Sequence, residues 1–206
     1  MTPISVSSLS ASSPASCLLI VVIFITSLCS LLNHGILLRL FFHPSSIVSS
    51  HEYYRLFTGD FVHNDLIHLM INEATMMTFC ISLEGYLHTK TAHGSLDFLI
   101  IYWSSCLAGT IPATIRHFKD FNYSSTGASG SITGCIFSYI LLVPNQTAYF
   151  LPLIGAVSNT YGGLIFLAGL ILYKWRSKNK LINHEVHFYG ALGGIFVTLL
   201  LFPGLL

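Results

Sequence analysis

The chain has 206 residues, of which 53% are apolar and only 8% charged, against roughly 25% charged residues in an average soluble domain. Nine Lys and Arg against eight Asp and Glu leave a net charge of +1, which excludes a basic surface for nucleic acid and a solvating acidic tail. This is the composition of a membrane protein, whose main partner is the lipid bilayer.

Apolar runs near the roughly 20 residues needed to cross a bilayer can be drawn six times, which predicts an all-α polytopic bundle in one domain over residues 1–206. The first covers about 17–38 and follows a Ser-rich start with no basic residue. A cleavable signal would need a positive leader and a small-residue cleavage site, so this run is expected to stay as a helix. Residues 39–65 form a connection carrying His43-Pro44, Glu52, Arg55 and Asp60, too polar to span but with enough Phe, Tyr and Leu to lie in the interface. The second span is about 66–87 and is unusually polar. The third, about 96–115, is closed by the charged stretch Arg116 to Asp120, and the fourth, about 127–143, by Pro144-Asn145. The fifth is about 151–173 and the sixth about 186–206. Cys17, Cys29, Cys80, Cys106 and Cys135 are far apart in apolar stretches with no C-x-x-C spacing, and read as small core residues.

Polar residues inside spans cost a few kcal/mol in lipid and mark function. Here His68 and Asn72 lie near the start of span two, Ser129 in the first turn of span four and His187 at the start of span six. One crossing separates each of these spans from the next, so the three run in the same direction and their polar starts share one side of the membrane. Each is a helix N-terminus, whose unpaired N–H groups favour developing negative charge. Ser129 stands in Gly127-Ala128-Ser129-Gly130, where the glycines leave room for a substrate backbone. A Ser hydroxyl becomes a good nucleophile when a neighbouring base takes its proton, and His187 is the candidate. Short Ser and Gly runs also occur at ordinary helix interfaces, and Gly130 with Gly134 and Gly190 with Gly194 fit small-x-x-x-small packing. The two readings cooperate, since close packing of spans four and six would bring Ser129 to His187.

With His63-x-x-x-x-His68-x-x-x-Asn72, Gly127-Ala128-Ser129-Gly130 and His187-x-x-Gly190-x-x-x-Gly194 in this order, the chain resembles the rhomboid intramembrane serine proteases in their compact six-helix form. Tyr54-Arg55 stands where the family often has Trp-Arg, and Glu84 matches an acidic residue near the far end of the second helix. The resemblance implies Ser129 as nucleophile and His187 as base and then acid, without cofactor or metal. It implies His68, Asn72 and the Ser129 amide as the oxyanion hole, with His63, Gly127 and Gly130 supporting. Substrates would be single-pass membrane proteins cut in or near their transmembrane segment. Thr133 departs from the aromatic residue that many members place one turn after the nucleophile, and Glu73 is unexpected in an apolar helix. At helical spacing Glu73 shares a stripe with Met77, Cys80 and Glu84, which predicts that it faces another helix.

The resemblance puts the N-terminus in the cytosol and the site near the non-cytosolic face. Loop charge favours the reverse, because on the family topology only Lys90 is cytosolic, with Arg39, Arg55, Arg116, Lys119, Lys174, Arg176, Lys178 and Lys180 outside. The motif match is the more specific guide. Two other classes stand as alternatives that fit the residues less well. His51-Glu52-Tyr53-Tyr54-Arg55 and His184-Glu185-Val186-His187 miss the spacing of an H-E-x-x-H metalloprotease. An inactive rhomboid-like or derlin-like client-binding protein would share the bundle but has no need of Ser129 and His187.

Overall fold

The computed structural model describes residues 13–151, 155–176 and 184–205. Helix α1 (Pro14–Leu32) opens with Pro at its first turn, where the missing N–H costs nothing. Its remaining free N–H groups are met by a carboxylate from elsewhere: Glu84 accepts from the Ala15 and Ser16 amides at 3.0 and 2.7 Å and from the Ser16 hydroxyl at 2.7 Å. Negative charge at the positive end of the helix dipole is favourable there. A break at Asn33, whose side chain caps Gly35, starts α2 (His34–Leu40), followed by α3 (Pro44–Ser49), the single turn α4 (Arg55–Thr58) and a 3-10 turn over Gly59–Phe61. Buried Arg55 donates to the carbonyls of Leu38 and Phe41, at 3.1 and 2.9 Å, and Thr58 donates to that of Leu40 at 2.7 Å. These bonds satisfy the end of α2 and fold the connection onto the bundle.

Helix α5 (Leu66–Lys90) is capped by Asp65, which accepts from the His68 amide at 2.7 Å, and contains a π-helical segment over Met76–Cys80. The segment widens the turn locally, while the buried residues Glu73, Met76, Cys80 and Glu84 keep three- and four-residue spacing through it. This corrects the regular stripe expected from Glu73 through Met77: Met77 is 56% exposed and Met76 is the buried methionine, while Cys80 and Glu84 stay buried. Then come α6 (Gly94–His117), α7 (Ser129–Leu142), α8 (Asn159–Arg176) and α9 (His184–Leu201).

Helices α1, α5, α6 and α9 are long and apolar enough to cross a membrane, and α7 is a shorter apolar helix. Their outward faces are apolar, as lipid requires; on α9 the exposed residues Phe188, Leu192, Phe196 and Leu200 follow one another at four-residue spacing. The chain is thus an all-α polytopic membrane bundle. The expected fifth span does not run as one helix from residue 151. Strand β1 (Thr147–Leu151) pairs antiparallel with β2 (Gly155–Ser158), and α8 starts only at Asn159. Pro152 and Gly155, the latter at φ +91°, break the helical reading of this apolar run.

The centre of the bundle is α7, on which Ser129 through Ile136, Ser138 and Tyr139 are buried. It meets α9 through glycines. A Cβ at Gly190 would overlap the Gly130 carbonyl, and one at Gly194 the backbone of Gly134, so backbone packs against backbone. With 14 residues α7 is about 21 Å long, short of the roughly 30 Å hydrocarbon layer.

Candidate active site

The turn into α7 sets the site. Gly127 has φ +98°, and its N–H donates to the Gly59 carbonyl at 2.9 Å, tying this turn to the 3-10 turn. Ser129 then begins the helix; the first α7 bond runs from the Ile132 amide to the Ala128 carbonyl, so the amides of Ser129, Gly130 and Ser131 have no partner within the helix. Ser129 is 5% exposed, and its Oγ lies 2.6 Å from His187 Nε2 in the first turn of α9. The glycine contacts between α7 and α9 allow that approach.

From α5, His68 and Asn72 close over the same turn. A Cβ at Gly127 would fall 3.0 Å from His68 Nε2 and 3.2 Å from Asn72 Nδ2, so Gly127 is held to glycine by both its φ and its neighbours. Asn72 is fully buried, and its Nδ2 lies 2.6 Å from His63 Nε2. The His63 and His68 rings meet edge to face at 4.9 Å between centroids. His63 is fully enclosed; burial, and secondarily the neighbouring His68, push its pKa down to about 3, so the ring is neutral. The expected residues Ser129, His187, His68, Asn72, His63, Gly127 and Gly130 are therefore assembled at one end of α5, α7 and α9.

A rhomboid domain matches residues 50–204. The chain belongs to the rhomboid family. It is 28% identical over 153 residues to the Bacillus subtilis protein named rhomboid protease YdcA, covering 74% of this chain and 69% of that protein. It is 29% identical over 154 residues to rhomboid protease GluP of the same organism, covering 75% of this chain but 27% of GluP. These relationships support a membrane-embedded protease of the hydrolase class. Helix α1 lies outside the matched segment.

Within this rhomboid, Thr133, one turn after Ser129, turns its hydroxyl back to the Ser129 carbonyl at 2.6 Å. Glu73 is buried, at 4% exposure, and its Oε1 has no hydrogen-bond partner among the described residues. Asp60 was legible only as one polar residue of the connection. It is buried and accepts from Tyr102 Oη at 3.1 Å and from Ser131 Oγ at 2.5 Å, on the helix that starts with Ser129. Burial raises its pKa to about 6, partly offset by hydrogen bonds from Ser131, Tyr102 and Cys106. Glu185, two residues before His187, lies 3.0 Å from His117 Nε2 and 3.4 Å from Arg116 Nη1, which docks the start of α9 on the end of α6.

Proposed function

We propose that this rhomboid is an intramembrane serine endopeptidase acting through Ser129 and His187 on single-pass membrane proteins. The 2.6 Å Oγ–Nε2 separation carries the reading, because direct proton transfer needs that closeness. His187 takes the hydroxyl proton as Oγ bonds to the scissile carbonyl carbon. The carbonyl electrons move onto oxygen, and the oxyanion is met by donors from His68, Asn72 and the Ser129 amide. His187 then returns the proton to the leaving amine as the C–N bond breaks. Water, deprotonated by His187, releases the acyl group and restores Ser129. No cofactor enters these steps.

The short α7 supports a site recessed below one membrane surface, where a substrate helix must unwind to present an extended backbone. Helix-breaking residues near the end of a transmembrane segment are the preferred cleavage context. The reading takes the chain as one rhomboid domain with the site near the non-cytosolic face. Access would be gated by α8 and the connection after it; residues 177–183 of that connection lie outside the described residues.

A fluorophosphonate probe, which reacts only with an activated serine, tests the proposal. It should label the wild-type chain in membranes and leave Ser129→Ala and His187→Ala unlabelled. An inactive client-binding protein would show no Ser129-dependent labelling.

A further inference from the structure

We infer that Ser27 is a positioning residue that keeps the His63 proton on Nδ1, and that His63 thereby decides which end of the Asn72 amide faces the nucleophile. Ser27 is fully buried on α1, with its Oγ 3.0 Å from the Phe61 carbonyl oxygen and 2.7 Å from His63 Nδ1. A carbonyl can only accept, so the Ser27 proton goes to Phe61 and Oγ is left to accept from Nδ1–H. The neutral His63 ring carries one proton, so Nε2 is a lone pair. Asn72 Nδ2, 2.6 Å away, is accordingly its donor.

The other end of this amide makes no competing demand. Asn72 Oδ1 is buried with no hydrogen-bond partner among the described residues, so the His63 contact sets the amide orientation. Nδ2 is also the Asn72 atom nearest the Gly127 turn, which leaves its second N–H to serve the oxyanion. Were the His63 proton on Nε2 instead, the favourable contact would be Nε2–H to Oδ1, and the amide would turn over. An acceptor would then occupy the place of the donor and repel the oxyanion. The effect on catalysis rests on the reading of Asn72 as an oxyanion donor; the tautomer assignment does not. The relay brings α1, which lies outside the segment matched by the family, into control of the site.

The test combines nitrogen NMR of the full chain, labelled with 15N-histidine in lipid, with the rate of fluorophosphonate labelling. His63→Gln identifies the His63 signals. In the wild type, His63 should be protonated at Nδ1. Ser27→Ala should introduce the Nε2-protonated form and slow labelling roughly tenfold or more, short of or equal to the 10² to 10³ for losing one oxyanion donor outright. Ser27→Thr, which keeps the hydroxyl, should restore both readouts. A wild-type His63 protonated at Nε2 overturns the inference, whether or not Ser27→Ala folds; so does a folded Ser27→Ala that labels at the wild-type rate. If wild type is not labelled at all, the proposed protease function fails, while the tautomer measured in the same sample still decides the relay.

Discussion

Asp60 accepts a hydrogen bond from Ser131 at 2.5 Å, so a carboxyl in the connection after α1 is joined to the first turn of the helix that carries Ser129. The neighbouring Gly59 carbonyl holds the Gly127 amide. Two adjacent residues of one 3-10 turn thus grip the approach to the nucleophile on both sides of it.

This arrangement predicts a pH dependence of stability. The Asp60 carboxyl titrates near 3.8 when free and at about 6 in the fold, so the folded state holds the proton more tightly. Its contribution is complete below about pH 4 and is lost as pH rises through about 6. At 1.36 kcal/mol per pKa unit, the loss approaches about 3 kcal/mol. Thermal unfolding in detergent at about pH 4 and about pH 8 should show a larger fall for wild type than for Asp60→Asn. Equal falls would remove Asp60 as the source.

Asn72→Ala should lower turnover roughly 10² to 10³ through loss of one oxyanion donor, and should also cost about 1–3 kcal/mol of stability, because the buried His63 Nε2 is left without its donor. Cleavage kinetics on a transmembrane-segment substrate, or the rate of fluorophosphonate labelling, measures the loss of turnover. Unchanged rates would take Asn72 out of the site.

The parts of this site that could be read in the sequence are those set by order and parity. Ser129, His187, His68 and Asn72 each open a span of the same direction, so their shared end follows from counting crossings. Ser27 and Asp60 could not be found that way, because a single Ser in an apolar helix and an Asp in a polar connection acquire meaning only from distant partners. The stripe through Met77 failed because Glu73 and Glu84 lie at one edge of the buried arc of α5, which runs through Asn72, Met76, Cys80, Leu83 and Leu87, so a stripe drawn through that edge takes in an exposed position. The start of α8 was misplaced because a short apolar run suits a strand or a buried helix equally; Pro152 and Gly155 were the available warning.

Glu84→Ala should destabilise the bundle without touching the site. The carboxylate is fully buried and receives four hydrogen bonds, from the Ala15 and Ser16 amides, the Ser16 hydroxyl and the Ser95 hydroxyl. Each donor left unmet in the interior costs about 1–3 kcal/mol, so even partial rearrangement leaves a loss of several kcal/mol. Chemical or thermal unfolding should register it, and the surviving folded fraction should label with fluorophosphonate at the wild-type rate. A variant as stable as wild type would mean that α1 does not depend on this cap.

Gly194→Leu tests the packing that brings Ser129 to His187. A Cβ at Gly194 would overlap the backbone of Gly134, and Ser138 Oγ donates to the carbonyls of both Gly134 and Gly194, at 2.8 and 3.1 Å. No side chain can move aside to make room, so α7 and α9 must separate. The Ser129–His187 contact lies one turn beyond the Gly130–Gly190 contact on the same seam, and a hydrogen bond of 2.6 Å does not survive a displacement of about 1 Å in its partners. Gly194→Leu should therefore lose most serine labelling as well as stability, whereas Leu192→Ala, which shortens an exposed side chain on the same helix, should change neither. Full labelling by a folded Gly194→Leu variant would show that the dyad is not held by this seam.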